Sequence, residues 1–173
     1  MEHTKFESSM LQIAIEEAEA SFLEGGLPIG SVLVHRGKLV SRGRNLRAQT
    51  GSTLHHAEMT ALANAGRQPP EFYRETVLYT TLSPCPMCTG AMILYGIPKV
   101  VIGTPTVREW GEDRLRELGV EVVHTRSEAC AELLSRMITQ QRELIREDGG
   151  NFFGSSRKSG VTRTFRFQNE VRR

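Results

Sequence analysis

The stretch Pro84-Cys85-Pro86-Met87-Cys88 lies where the sequence changes from a strand pattern to a helix pattern. The residues before it, Thr76–Thr81, are rich in β-forming side chains, and the pattern from Cys85 to Tyr95 is helical. Two cysteines three positions apart at the start of a helix present both sulfurs on one face. The stretch therefore predicts a strand that runs directly into a helix, with two thiols at the junction.

The rest of the chain repeats this alternation of strands and helices. Besides the two elements above, helices are predicted at about Phe6–Leu23, His56–Ala65, Arg114–Leu118 and Glu128–Arg146. Further strands are predicted at Ile29–His35, Leu39–Asn45, Val100–Ile102 and Val120–Val123. Five strands interleaved with helices favour a three-layer α/β/α fold in which helices cover both faces of a mixed five-stranded sheet.

A histidine and a glutamate upstream complete a candidate metal site. In His56-Ala57-Glu58, the histidine opens a predicted helix and can add a nitrogen ligand to the two sulfurs. Three protein ligands and one open position are the catalytic arrangement of zinc. The pattern His-x-Glu followed by Pro-Cys-x-x-Cys is the signature of zinc deaminases, in which the glutamate transfers protons without binding the metal. We therefore predict His56, Cys85 and Cys88 as zinc ligands and Glu58 as the catalytic acid and base.

The alternative interpretations of these cysteines are a structural zinc knuckle and a redox pair. A closed structural site needs a fourth ligand, and the remaining thiol and imidazole groups do not stand at ligand spacing from the motif. They are Cys130, His124, His35 and His55. Without a fourth ligand, the catalytic interpretation is favoured.

Composition and charge limit the partners and the location. The 39% hydrophobic and 24% charged residues are typical of a soluble protein, and no apolar run reaches membrane-helix length. The start lacks a signal-peptide pattern, so we expect a cytoplasmic protein. In a reducing compartment, an odd number of cysteines with two in Cys-x-x-Cys favours metal binding over a disulfide. The net charge is +2, of which residues 149–173 carry +5 and residues 1–148 therefore −3. An acidic body argues against a nucleic-acid partner.

The sequence resembles a known protein family. It is similar to the cytidine and deoxycytidylate deaminase superfamily, and within it to the small fungal-type cytosine deaminases. The resemblance rests on Glu24-Gly25-Gly26-Leu27-Pro28-Ile29-Gly30, on Gly43-Arg44-Asn45-Leu46-Arg47, on Thr80–Ala91 and on Tyr95-Gly96-Ile97-Pro98. It covers about residues 8 to 150, which suggests a zinc deaminase domain at 1–150 and a basic C-terminal tail at 151–173.

The resemblance implies roles for two further residues and an oligomeric state. Taken alone, Asn45 could be ordinary turn chemistry and Asp148 a solvated acid after a helix. In the family, the matching asparagine binds the ring carbonyl edge of the substrate, and the matching acid contacts its amino group. The family also implies a homodimer that packs through helices near the active site.

Two positions depart from the family pattern. The fungal enzymes carry an aromatic residue just before the matching acidic pair, whereas Ile145 stands there in this chain. The loop Thr104–Trp110 lacks a clear match to the family's ring-stacking phenylalanine, and Trp110 is the candidate to replace it. These departures suggest a wider pocket or one that is shaped for a substrate other than cytosine.

Together these observations predict a zinc-dependent hydrolase that converts a free nucleobase, cytosine, to uracil and ammonia. The alternatives are a deaminase of another small amino heterocycle such as guanine or creatinine, a tRNA adenosine deaminase that uses the basic tail, and a zinc-binding scaffold without catalysis. The last alternative leaves Glu58 without a role.

Overall fold

The structure, a computed structural model, describes residues 2–106 and 111–148. In these residues the strands are β1 Gly30–His35, β2 Lys38–Arg44, β3 Thr76–Leu82, β4 Lys99–Thr104 and β5 Glu121–His124. The helices are α1 Glu2–Leu23, α2 Arg47–Thr50, α3 Ala57–Asn64, α4 Pro70–Tyr73, α5 Pro86–Tyr95, α6 Glu112–Glu117, α7 Glu128–Gln140 and α8 Arg142–Glu147. The sequence patterns predict all of these elements except α2, α4 and the separate α8.

The strands form one mixed sheet in the order β2-β1-β3-β4-β5. Strand β1 is antiparallel to β2 and β3, whereas β3, β4 and β5 are mutually parallel. The β1–β2 hairpin turns at Arg36 and Gly37, which have φ angles of 47° and 72°. Two successive positive φ angles are the mark of a type I′ turn, whose twist matches that of the strands. The predicted mixed five-stranded sheet is confirmed.

Helices cover both faces of the sheet because successive strand side chains point to opposite sides. On one face, Val32 and Val34 of β1 pack in a cluster with Met10 of α1. On the other face, Leu33 packs in a second cluster with Met92 of α5 and with residues of α3 and α6. The alternation within one strand thus produces the predicted three layers.

Helix α3, which carries Glu58, lies directly on strand β2. A side chain at Gly43 would place its Cβ only 2.3 Å from the backbone nitrogen of Ala61, so only glycine permits this approach. The Ser41 hydroxyl also donates a hydrogen bond of 2.7 Å to the Ala61 carbonyl. These backbone contacts fix the height of α3 above the sheet and therefore the position of its first turn.

The prediction of one helix over Glu128–Arg146 is wrong, because the chain bends at Gln141. This residue has φ −127° and ψ 36°, and its side-chain Nε2 donates a hydrogen bond of 2.6 Å to the carbonyl of Gly26. The bend separates α7 from α8, which ends beside Asp148. A contact 115 residues away along the chain therefore sets the direction of the last described helix.

The described part of the chain has no helix that is both long enough and apolar enough to cross a membrane. The predicted basic tail at 151–173 and the predicted binding residue Trp110 lie outside the described residues.

Candidate metal centre and active site

The three predicted metal ligands come together at the starts of two helices. His56 directly precedes α3 and Cys85 directly precedes α5, and both have extended backbone angles at the N-cap position. Cys88 lies in the first turn of α5 and is fully buried. The ligand atoms of all three residues lie within 4.8 Å of one another.

This cluster has the dimensions that zinc requires. The two sulfurs are 3.6 Å apart, and the Cys85 sulfur is 3.4 Å from Nδ1 of His56. Tetrahedral zinc with ordinary bond lengths would place its sulfurs about 3.8 Å apart, and a sulfur and a nitrogen about 3.6 Å apart. None of the three cysteines forms a disulfide. The residues present therefore fit a zinc ion held by one histidine and two cysteines.

Hydrogen bonds within the cluster prepare one thiol for metal binding. The hydrogen bond with Cys88 is the main cause that lowers the pKa of the Cys85 thiol to about 4, and His56 adds to this effect. The same bond with Cys85, together with burial, raises the pKa of the Cys88 thiol. Since the thiolate is the form that binds metals, Cys85 is already in the binding form at neutral pH.

Glu58 lies in the first turn of α3 and is only 3% exposed. Its Oε1 accepts a hydrogen bond of 3.2 Å from the Thr80 hydroxyl on β3, and its Oε2 lies 3.4 Å from the Cys88 sulfur. Burial, followed by the negative charge of Cys85, raises the pKa of the Glu58 carboxyl above its usual value. A carboxyl with a raised pKa can take up and return a proton closer to neutral pH. Sequence reasoning did not identify Thr80, because nothing in the pattern pairs it with Glu58.

Asp148 lies against His56, the predicted histidine ligand. Its Oδ1 is 2.8 Å from Nε2 of His56 and 3.1 Å from Nη1 of Arg47. Burial lowers the pKa of His56, but the hydrogen bonds to Asp148 and Cys85 outweigh it and raise the pKa to about 10. A carboxylate on the nitrogen that faces away from the metal fixes the orientation of a ligating imidazole. This contact was not predicted, and the contact of Asp148 with a substrate amino group stays a prediction.

Asn45, which directly follows β2, is fully buried and firmly held. The Ser21 hydroxyl donates to its backbone carbonyl at 2.6 Å, and the Arg47 backbone N–H donates to its side-chain Oδ1 at 3.2 Å. Its Nδ2 has no hydrogen-bond partner among the described residues. A buried amide without a partner is rare in folded proteins and suggests that a ligand completes it.

A cavity of about 320 Å³ adjoins Asn45, with walls that include Leu27, Arg47, Leu144 and Glu147. This volume is at the lower end of the range for small-molecule sites. Ile145, the position that departs from the family pattern, is not among the lining residues of this cavity and packs in a core cluster with Leu27, Leu82 and Met137.

A second buried carboxylate supports the loop that leads to Cys85. Glu112 of α6 is fully buried and accepts a hydrogen bond of 2.6 Å from the Ser83 hydroxyl. The same carboxylate contacts His124 at 2.6 Å and Arg116 at 2.9 Å, so its charge is balanced. The Ser83 oxygen in turn accepts the backbone N–H of Thr106 at 2.9 Å. The sequence offers no pattern that connects these residues.

The other cysteine and histidine candidates take no part in the cluster. Cys130 is buried in α7, as expected of a structural thiol, and burial raises its pKa. His55 is exposed and pairs through Nδ1 with the Thr50 hydroxyl at 2.9 Å. Nε2 of His124 forms a hydrogen bond of 2.6 Å with the Glu112 carboxylate.

Comparison with known proteins places this site in a family. The sequence model of the cytidine and deoxycytidylate deaminase zinc-binding region matches residues 4–104, more than half of the chain. The chain belongs to the cytidine and deoxycytidylate deaminase family. Zinc is the cofactor of this family, and zinc-dependent hydrolytic deamination is its general activity.

Two relatives within the family are similar over most of their length. A cytosine deaminase of Candida albicans is 43% identical over 141 residues, which are 81% of this chain and 94% of that protein. A tRNA-specific adenosine deaminase of Streptococcus pyogenes is 30% identical over 154 residues, 88% of this chain and 91% of that protein. A solved structure from a study of A-to-I editing by tRNA:A34 deaminases superposes with a TM-score of 0.63 at 24% identity. That superposition covers 73% of this chain and 99% of the other, and it supports the fold alone.

Proposed function

We propose that this chain converts free cytosine to uracil and ammonia, with His56, Cys85 and Cys88 as the zinc ligands and Glu58 as the proton carrier. The observation that carries the proposal is the buried Glu58 carboxylate next to the cysteine–histidine cluster. The 43% identity to a Candida cytosine deaminase supports cytosine as the substrate.

Glu58 supplies acid and base catalysis from one position. Its burial holds the carboxyl in place. The Thr80 hydroxyl donates to Oε1, and Oε2 lies beside the Cys88 sulfur of the cluster. Glu58 takes a proton from the attacking water as the oxygen bonds to the amino-bearing ring carbon, and it delivers that proton to the adjacent ring nitrogen. It then takes the second proton of that water from the new hydroxyl group and delivers it to the amino group. The carbon–nitrogen bond breaks, the ring carbonyl of uracil forms, and ammonia leaves.

The remaining residues bind and orient the base. When bound, zinc supplies a water of lowered pKa and stabilises negative charge on oxygen. The partnerless Nδ2 of Asn45 is suited to donate to the ring carbonyl of cytosine. Asp148 holds His56 and, as the family suggests, accepts from the amino group. Because these groups are fixed before the substrate arrives, they reduce the entropic cost of reaching the transition state.

The substrate can be tested by measuring ammonia release over a panel of bases. We expect cytosine to release ammonia and an equal amount of uracil, whereas guanine and creatinine should release none at the same enzyme concentration. Protein stripped of metal by a chelator is the control and should be inactive until zinc is restored. If another base released ammonia and cytosine released none, that base would be the substrate and the proposal of cytosine would be wrong.

A tRNA adenosine deaminase is the second candidate. The Streptococcus relative and the +5 charge of residues 149–173 favour it, because basic tails contact phosphates. The −3 charge of residues 1–148 opposes it. Formation of inosine in treated tRNA, at a rate above that of cytosine deamination, would establish this candidate instead.

We also propose that residues 1–150 form the deaminase domain, that 151–173 form a basic tail, and that two copies pair in the cytoplasm. Leu94 and Tyr95 at the end of α5, the helix that carries Cys88, are 79% and 41% exposed and offer an apolar contact surface. We expect light scattering with size-exclusion chromatography to give twice the chain mass. A mass of 19.3 kDa across the micromolar range would contradict the dimer.

A further inference from the structure

Arg47 is buried to an extent that is unusual for its charge. It begins α2, two residues after Asn45, and its side chain is only 11% exposed. Arginine is almost never buried unless it is paired. The position of its partners therefore indicates what it does.

The guanidinium group of Arg47 holds the end of α8. Nη1 lies 3.1 Å from Oδ1 of Asp148, and Nη2 donates a hydrogen bond of 3.2 Å to the backbone carbonyl of Glu147. That carbonyl is at the C-terminal end of α8, where helix carbonyls lack partners within the helix and favour a positive charge. Two nitrogens of one planar group thus bind two successive residues, Glu147 and Asp148, which lie 100 and 101 positions further along the chain.

The oxygen of Asp148 that Arg47 contacts is also the oxygen that contacts His56. A single carboxylate oxygen therefore connects the guanidinium to the metal histidine, with distances of 3.1 Å and 2.8 Å. Among the described ion pairs, Asp148 has two partners, His56 and Arg47, so without Arg47 only the imidazole itself would hold the carboxylate. The carboxylate would then be free to leave the imidazole.

The backbone of Arg47 contacts the other proposed substrate-binding residue, Asn45. Its N–H donates to Oδ1 of Asn45 at 3.2 Å, which occupies the oxygen end of that amide. The nitrogen end, Nδ2, is left without a partner among the described residues. The backbone N–H at position 47 thereby leaves Nδ2 as the end of the Asn45 amide that is available to a ligand.

We propose that Arg47 is a positioning residue that assembles the substrate side of the active site, because its guanidinium fixes Asp148 against His56 and its backbone N–H orients Asn45. The proposal rests on the proposed function, since it assigns Asn45 and Asp148 to that same site. Arg47 acts through these two residues and makes no contribution of its own to bond making or breaking.

The first test is a double-mutant cycle on the zinc-loaded enzyme. We expect Arg47→Ala and Asp148→Asn each to lower kcat/KM for cytosine by about 10- to 100-fold, the usual effect of removing support from metal ligands. The double variant should be no worse than Asp148→Asn alone, because the arginine acts through the carboxylate. Added ethylguanidinium should restore part of the activity of Arg47→Ala. Losses that multiply in the double variant would mean that Arg47 acts independently of Asp148 and would overturn the proposal.

The second test does not depend on activity. In the zinc-loaded wild type, the Nε2–H proton of His56 should give a resolved imidazole NMR signal, because the carboxylate protects it from exchange. The signal should be lost in Arg47→Ala and weakened in Arg47→Lys, which keeps the charge but cannot bind Asp148 and the Glu147 carbonyl at once. An unchanged signal in both variants would overturn the proposal.

Arg44→Lys is the matched control. Arg44 stands three residues earlier and also pairs with two acids, Glu17 and Glu24, but neither belongs to the site. It should keep the His56 signal and the wild-type kcat/KM. If the wild type releases no ammonia from cytosine, the proposed substrate is wrong, and the His56 signal still decides the role of Arg47.

Discussion

Replacing Glu58 by glutamine is expected to lower kcat by about 100- to 10,000-fold, the range that a positioned acid or base contributes. Glutamine has nearly the same shape, so it can still accept the Thr80 hydrogen bond, but it cannot take up a proton. Because Glu58 is buried, an acid from the solvent cannot easily reach the site and replace the missing carboxyl. The measurement is ammonia release at saturating cytosine, with zinc content determined on the same sample.

Zinc content should remain at one ion per chain in Glu58→Gln, because Glu58 is not predicted to be a ligand. The matched control is Glu17→Gln, which changes another largely buried carboxylate, one that pairs with Arg44 on the α1 side of the sheet. This control should keep the wild-type kcat. Turnover of Glu58→Gln at the wild-type rate would remove Glu58 from the mechanism.

Replacing Cys88 by alanine is expected to weaken zinc binding by more than about 100-fold, since even residues that only support a ligand contribute 10- to 100-fold. Cys88 is fully buried and its sulfur is 3.6 Å from that of Cys85, so no solvent ligand can easily take its place. Deamination should be lost together with the metal. Competition with a coloured chelator measures the affinity, and ammonia release measures the activity.

Cys130→Ala is the control for this substitution. Cys130 is also buried, but it lies in α7 and belongs to no metal cluster in residues 2–106 and 111–148. Its variant should bind zinc with wild-type affinity. If Cys88→Ala retained a full complement of zinc through dialysis against the chelator, the assignment of Cys88 as a ligand would be refuted.

The sequence predicts those parts of the site that depend on neighbours along the chain. Cys85 and Cys88 share one helix start, and His56 and Glu58 share another, so spacing and helix geometry bring each pair together. The layered fold follows in the same way from alternation in single strands such as Val32-Leu33-Val34. These predictions required only short-range rules.

The features that sequence reasoning missed depend on distant partners. The sequence from Glu128 to Arg146 has an uninterrupted helical pattern and contains no signal for a break. The bend at Gln141 accompanies a hydrogen bond to the carbonyl of Gly26, which is far away in the sequence. The contact of Arg47 with Asp148 joins α2 to the end of α8, the helix that follows this bend. In the sequence, Glu112 likewise has the pattern of an ordinary acid at the start of a helix. Its hydrogen bond with Ser83 is visible only in the folded structure.

The order of these residues along the chain also has a consequence for how the protein is made. The ribosome has added all three proposed metal ligands by residue 88, whereas Asp148 is synthesised 60 residues later. At elongation rates of about 5–20 residues per second, roughly 3–12 s separate the two events. During that interval the nascent chain already contains the three proposed ligands, but Asp148, which contacts the other ring nitrogen of His56, has not yet been translated.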